Sequence, residues 1–328
     1  MYNFCTLFDT HYLTRGLALY YSLKNNCDNY HLYIFAFNDK CYEILEKLNL
    51  ENVTLIPLSE FESPELLKVK PTRSIAEYCW TCTSSTILYV LEKFNVESCT
   101  YLDSDMCFYS SPQPIFNELG SDSILITEHR YSPKYNKEIR AGKYCVQFVT
   151  FRNNEYGLKA LKWWKDRCIE WCYAKYEDGK FGDQLYLNDW LERFERVHVL
   201  QHLGGGLAAW NVQQYKFSEE NGKIVGTEES TGKKFDAIFY HFHYLRFFNN
   251  GEIELGRRIL TENIFSTFYR PYIRYLDEIK LKVETINNSF DPHGSTTKPL
   301  NWKAPILYIY RNLKGVYNIF DKQKFLES

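Results

Sequence analysis

The sequence predicts an α/β fold: a mixed, mostly parallel sheet with flanking helices, followed by a basic, mainly helical C-terminal appendage. Three observations carry that reading. Short apolar runs of strand length recur along the chain, stretches with helical spacing of apolar residues separate them, and strands alternating with helices imply a parallel twisted sheet. The 328 residues are 45% hydrophobic and 24% charged, with 27 Tyr, 23 Phe and 7 Trp. Such a chain can bury a large core, so disorder is excluded for most of its length.

Phe4 to Phe8 reads as the first strand, Asp9 to His11 as a loop, and Leu13, Leu17, Tyr20 and Tyr21 as one face of a helix. His31 to Phe37 is the next strand, Asp39 to Leu48 a helix capped by Asp39, and Val53 to Leu58 a third strand. Ser74 to Phe94 follows as a long helix, then strands at Cys99 to Leu102, Ser123 to Glu128 and Cys145 to Phe151. Asn154 to Tyr173 is a helix because Leu158, Leu161, Trp164, Cys168 and Cys172 share a face. A further helix is expected over Gln184 to Arg193, a loop at Gly204 to Gly206 that allows close backbone approach to a ligand, and an apolar run from Asp236 to Leu245. No internal repeat or low-complexity tract is present.

Thirty-nine basic and 41 acidic residues leave a formal charge of -2. Nothing global draws in a nucleic-acid backbone, and no nucleic acid is expected as a partner. The chain lacks an apolar run long enough to cross a bilayer, and its first residues lack the layout of a signal peptide, so a cytoplasmic protein is expected. Ten Cys without a regular framework fit reduced, buried thiols. Cys79-Trp80-Thr81-Cys82 has redox or half-zinc spacing, yet it falls inside a helix rather than at the start of one. Beyond residue 256 the chain turns basic, with Arg257, Arg258, Arg270, Arg274, Lys280, Lys282, Lys298, Lys303, Arg311 and Lys314. Trp302 to Phe320 mixes aromatic and aliphatic residues with these cations, although Pro299, Pro305 and Gly315 interrupt it. It reads either as a solvated helix or as a peripheral contact with an anionic membrane face.

The sharpest chemical signal is Tyr101-Leu102-Asp103-Ser104-Asp105, an apolar strand end that runs into two carboxylates. In open α/β sheets ligands gather beyond the carboxyl ends of the strands. Hard cations such as Mn2+ or Mg2+ take oxygen ligands there and share them with substrate phosphates. His241-Phe242-His243 follows the apolar run Ala237 to Tyr240, and on a strand both His would point to one side and complete a mixed oxygen and nitrogen set. Asp183 and Gln184 stand at a helix start, where Asp183 is either an N-cap or, with Gln184, a holder of sugar hydroxyls.

These motifs, in this order over residues 3 to 248, resemble the GT-A nucleotide-sugar glycosyltransferases, and within them glycosyltransferase family 8, which includes glycogenin and bacterial lipooligosaccharide galactosyltransferases. The resemblance implies a GT-A catalytic domain over 1–255 and the appendage over 256–328. It implies a base-binding segment with Thr6, Asp9 and Tyr12. A metal-binding Asp103-Ser104-Asp105 motif would have its third ligand from His241 or His243, and Asp183 and Gln184 would lie at the donor sugar. Trp210-Asn211 matches a later Asn motif that places Asn211 at the substrates. The implied function is transfer from a UDP-sugar, with Mn2+ or Mg2+ and retention of configuration, to a glycan or lipid-linked acceptor in surface polysaccharide synthesis. Cys145-Val146-Gln147 replaces the usual Asn-x-Gly, and the Lys-Pro-Trp after the metal His is missing, which leaves Arg246 as the nearest cation for a phosphate. Arg73 is the candidate for the basic side chain ahead of the acid pair. Two other classes stay open: a non-catalytic nucleotide-sugar or carbohydrate-binding module, and a phosphohydrolase using the Asp-x-Asp.

Overall fold

The computed structural model describes residues 1–298 and 304–328, so Pro299, Trp302 and Lys303 of the basic stretch lie outside the described residues. The strands in chain order are β1 (Tyr2–Phe8), β2 (Tyr30–Ala36), β3 (Val53–Pro57), β4 (Ser98–Leu102), β5 (Met106–Phe108), β6 (Ile124–Glu128), β7 (Tyr144–Arg152), β8 (Val197–Val199) and β9 (Gly205–Ala208). There follow β10 (Tyr215–Glu220), β11 (Lys223–Glu228), β12 (Lys234–Asp236), β13 (Phe239–His241), β14 (Arg246–Phe247), β15 (Glu252–Glu254) and β16 (Ile319–Asp321).

The central sheet has seven strands in the order β3-β2-β1-β4-β7-β6-β8. All neighbours are parallel except β7, which runs antiparallel to β4 and β6. The chain winds outward from β1 to β3 and then returns to β4 on the other side of β1. That reversal opens a crevice at the carboxyl ends of β1 and β4, where Asp9 and Asp103 emerge. One face of the sheet packs on the helices Ile75–Phe94 and Glu155–Glu170, the other on Leu13–Asn26, against which Arg270–Ile286 packs in turn.

Local chemistry explains the helix boundaries. Ser74 and Glu77 form a reciprocal capping box on Ile75–Phe94, and Asn154 caps Glu155–Glu170. At Asp39–Leu48 the cap is Asn38 rather than Asp39, since the Asn38 side chain accepts from the Cys41 amide and Asp39 occupies the first turn. Three further expectations are corrected. Helix Glu155–Glu170 stops before Cys172, which is buried just beyond it. Gln184 to Arg193 forms a 3-10 turn, Leu185–Asp189, and one short helix, Trp190–Arg193. Gly204 to Gly206 is no open loop: Gly205 and Gly206 begin β9, and a Cβ on Gly204 would lie 1.9 Å from the Asp236 carbonyl oxygen. The glycines there permit strand packing.

Leu260, Ile264, Phe268, Tyr272, Ile273 and Leu276 share one core with Phe4, Leu17 and Leu32, and β16 pairs with β15. Residues on either side of position 256 are therefore packed together. Among the described residues no helix is long and apolar enough to cross a membrane.

Candidate metal and nucleotide site

Strand register assembles the site. After β4 the chain turns back at Asp103, whose carbonyl accepts from the Met106 amide at 3.2 Å, and β5 then pairs antiparallel with β13. That register sets Met106 opposite His241, and the Phe242 amide donates to the Asp105 carbonyl at 2.9 Å. His241 Nε2 consequently lies 3.0 Å from Asp105 Oδ1 and 3.7 Å from Asp103 Oδ2. His243 sits past the end of β13 rather than on it, but its ring still turns inward. Asp105, His241 and His243 each present a ligand atom within 4.8 Å of the others. Tyr244 makes that turn possible by taking a left-handed conformation, φ +74°, which a bulky side chain rarely adopts and which marks strain at this corner.

Burial and mutual charge set the protonation of the group. Burial pushes Asp103 up to about 6, assisted by the neighbouring Asp105 and opposed by His241. Burial acts on Asp105 in the same sense, but the attraction and hydrogen bond of His241 overcome it and hold Asp105 at about 2. His241 is raised well above its ordinary value: the two carboxylates outweigh its own burial. The half-buried His243 is lowered to about 4, chiefly by desolvation, with the charge on His241 adding to the effect. An imidazolium on His241 thus occupies the place where two carboxylates ask for positive charge.

Gln147 orients that ring. Its Oε1 accepts from His241 Nδ1 at 2.8 Å, leaving Nε2 to face the acids, while its backbone carbonyl accepts from the Asp103 amide at 3.0 Å. The residue that departs from the Asn-x-Gly pattern is thus tied to both halves of the site. An aromatic wall closes one side: the Trp210 ring meets His241 edge-on at 5.4 Å and His129 at 5.2 Å, and His129 stacks on Tyr131 at 4.6 Å. Burial lowers His129 to about 3, so it is a neutral ring in this wall. His129 was not anticipated from sequence; its place directly after β6 was the available signal.

The other expected site residues divide. Tyr12 is 43% exposed and close enough to Asp105 that, after burial, this carboxylate raises its phenol; the Arg15 guanidinium lies 4.7 Å over its ring. Asp9 directly follows β1 and caps the next turn, accepting from the His11 amide at 2.9 Å. Ser104 is half-buried between the two acids. Asp183 is buried and pushed up to about 8, first by burial and then by the charge of Asp103, so it is mostly a neutral acid near neutral pH. Arg246 is exposed on β14, and its charge bears on Tyr12 and His243.

Four side chains are placed differently. Thr6 is wholly buried in β1 and does not reach the crevice. Asn211 spends both amide hydrogens on the carbonyls of His129 and Gly206 and accepts from the Ala208 amide, so it braces the wall behind the site. Gln184 donates to the Ala141 carbonyl and ties down the segment before β7. Arg73 lies 3.9 Å over the Tyr173 ring and is committed there. Cys79 and Cys82 lie inside helix Ile75–Phe94, with burial raising both thiols, Cys79 to about 12, which leaves them unreactive.

No protein-family model matches the chain. It is 32% identical over 301 residues to the uncharacterized Bacillus subtilis (strain 168) protein YfnD, covering 89% of this chain and 95% of YfnD. To the uncharacterized YfnF of the same strain it is 33% identical over 300 residues, 89% of this chain and 97% of that protein. Among solved structures, an active-site mutant of LgtC superposes with a TM-score of 0.53 at 9% identity over 84% of this chain and 95% of that one. The galactosyltransferase LgtC in complex with donor and acceptor sugar analogs gives a TM-score of 0.51 at 11% identity, over the same 84% and 95%. The seven-stranded sheet, its order and this superposition make the fold that of the GT-A glycosyltransferases. The chain belongs to the family of YfnD and YfnF and has the GT-A fold.

Proposed function

We propose that this protein is a metal-dependent glycosyltransferase that moves a sugar from a UDP-sugar to a hydroxyl of a glycan or lipid-linked acceptor, in surface polysaccharide synthesis. The observation that carries the reading is the convergence of Asp103, Asp105, His241 and His243 at the crevice beyond β4. The donor set fits a divalent ion. Asp103, Asp105, His241 and His243 would hold the ion, which would take the place of the proton that His241 Nε2 shares with Asp105 across 3.0 Å. Two carboxylates with imidazole favour Mn2+ over Mg2+, because Mg2+ prefers oxygen alone.

A bound ion would supply positive charge against the leaving diphosphate, which is where such a transfer needs electrostatic help. The chain's own residues do the rest. Tyr12 and Asp9 hold the nucleobase at the carboxyl end of β1, and Arg246 contacts the diphosphate. Asp183, protonated near neutral pH, donates a hydrogen bond to a donor-sugar hydroxyl. Gln184 keeps the segment before β7 in place beside it, and Asn211 holds the aromatic wall. Retention of configuration is part of the proposal.

The protein is also proposed to touch an anionic membrane face through helix Ala304–Leu313. Ile306, Ile309, Tyr310 and Leu313 form an exposed stripe there, with Arg311 and Lys314 near its end. Co-sedimentation with phosphatidylglycerol vesicles tests this, and loss of binding in Ile309→Asp is the expected result.

Hydrolysis of UDP-sugars, followed as UDP release with and without Mn2+, tests the function. A transferase leaks slowly with metal, a binding module shows affinity without turnover, and a phosphohydrolase cleaves simple phosphomonoesters instead.

A further inference from the structure

Beside the acid cluster lies a second feature of opposite sign. A cavity of about 200 Å³ is lined by Lys137, Arg246, Arg257 and Arg258, with Tyr244 and Glu254 in its wall. Among the described residues none of the four cations forms an ion pair, and the one carboxylate, Glu254, lies 3.5 Å from Arg311. Their mutual repulsion registers on Lys137, whose ammonium is lowered by burial and then by Arg258, Arg140 and Arg257. Arg258 stacks 4.8 Å over the Tyr135 ring and donates to the Arg257 carbonyl, yet its Nε is buried without a partner. Like charges gathered and left uncompensated in a concave site are what an anion would relieve.

The cavity adjoins the catalytic crevice. Tyr244 belongs to its wall and has its ring 4.0 Å from that of His243, and Arg246 and Arg258 both bear on His243. Its volume suits one charged group, since sites for whole drug-sized ligands run from about 300 Å³ upward. Charge decides which molecule supplies that group. A donor diphosphate has a divalent ion and Arg246 to meet it, so Lys137, Arg257 and Arg258 remain for something else.

We propose that this cavity binds an anionic group, phosphoryl or carboxylate, carried by the acceptor, so that the acceptor is an acidic glycan or a phosphorylated lipid-linked one. The assignment rests on the transferase reading, and its test separates the two.

Isothermal titrations of the full chain use inorganic phosphate, glucose 1-phosphate and glucuronate as probes, each with and without saturating UDP and Mn2+. At least one probe is expected to bind equally well in both conditions, and which one binds tells phosphoryl from carboxylate. Arg258→Gln and Lys137→Gln should each weaken that probe at least tenfold while leaving UDP–Mn2+ affinity unchanged; Lys137 lies on a surface segment, so its variant serves should Arg258→Gln fail to fold. Asp103→Ala should do the reverse. Displacement of every probe by UDP–Mn2+, no binding of any probe, or unchanged affinity in both variants would overturn the proposal. If Asp103→Ala still binds UDP–Mn2+ while the probes behave as expected, the transferase reading fails and the anion cavity stands.

Discussion

The acid cluster and the basic cavity are neighbours built on opposite principles. In the cluster, Asp103 and Asp105 are offset internally by His241, which Gln147 holds in place, so the group is compact and its charge is largely balanced within itself. In the cavity, Lys137, Arg257 and Arg258 have no ion-pair partner among the described residues. Charge is compensated within the first group and left open in the second, so on the readings proposed above the first would take a small ion on fixed ligands and the second a larger anion that supplies the missing charge.

The largest effect is expected at the acids. Asp103→Ala and Asp105→Ala should each lower Mn2+-dependent UDP-sugar turnover by about a hundredfold to a thousandfold, since removing a pre-organised electrostatic contact to a leaving group costs about 3–4 kcal/mol. Circular dichroism should remain that of the native fold, and full activity in both variants would break the comparison at its first half.

Asp183 comes next, through the pH dependence of stability. Its folded value of about 8 lies above its ordinary 3.8, so the folded state holds a proton that the unfolded chain has released between those limits. This contribution is complete below pH 3.8 and is lost as pH rises through 8, at up to about 1.4 kcal/mol per pH unit. Asp183→Asn cannot ionise. Its denaturant midpoint should fall less than the wild-type midpoint between pH 5 and 8, and parallel curves would contradict the buried neutral acid.

Gln147→Ala should weaken Mn2+ binding by about 10–100-fold, the usual cost of losing a partner that orients a ligating His. Titration followed by electron paramagnetic resonance reads this directly, and unchanged affinity would remove Gln147 from the positioning role. The smallest effect belongs to the cavity: Lys137→Gln should leave stability the same or raise it by about 0.5 kcal/mol at low salt, because it relieves repulsion that salt screens. A clear loss of stability would mean that Lys137 already has a partner.

Much of this arrangement was legible in the sequence. Apolar runs marked β1 to β4, β6 and β7 because they are core strands whose neighbours are set by a simple alternation of elements. Asp103, Asp105 and His241 stood out because acids and imidazoles at the ends of such runs have little structural reason to be there. What escaped was whatever depends on register between distant strands. His243 was a candidate from the start, but not by this route: it lies past the end of β13 rather than on it and turns inward through the Tyr244 backbone. Gln147 looked like a departure from the pattern until β7 brought it under His241, and Asn211 looked like a substrate contact until β9 and the His129 carbonyl claimed its amide. Gly204 to Gly206 read as a loop because composition reports freedom, whereas packing against Asp236 and Leu200 is what demands glycine there. Arg257 and Arg258 were visible only as part of a basic tail, since nothing local says that they meet Lys137 across one cavity.

The most direct measurement is anomalous diffraction from a crystal grown with Mn2+ and UDP. One manganese peak is expected between the carboxylates of Asp103 and Asp105 and Nε2 of His241, with the diphosphate beside it and the uracil toward Asp9 and Tyr12. A manganese peak away from those side chains, or a nucleotide bound elsewhere on the chain, would contradict it.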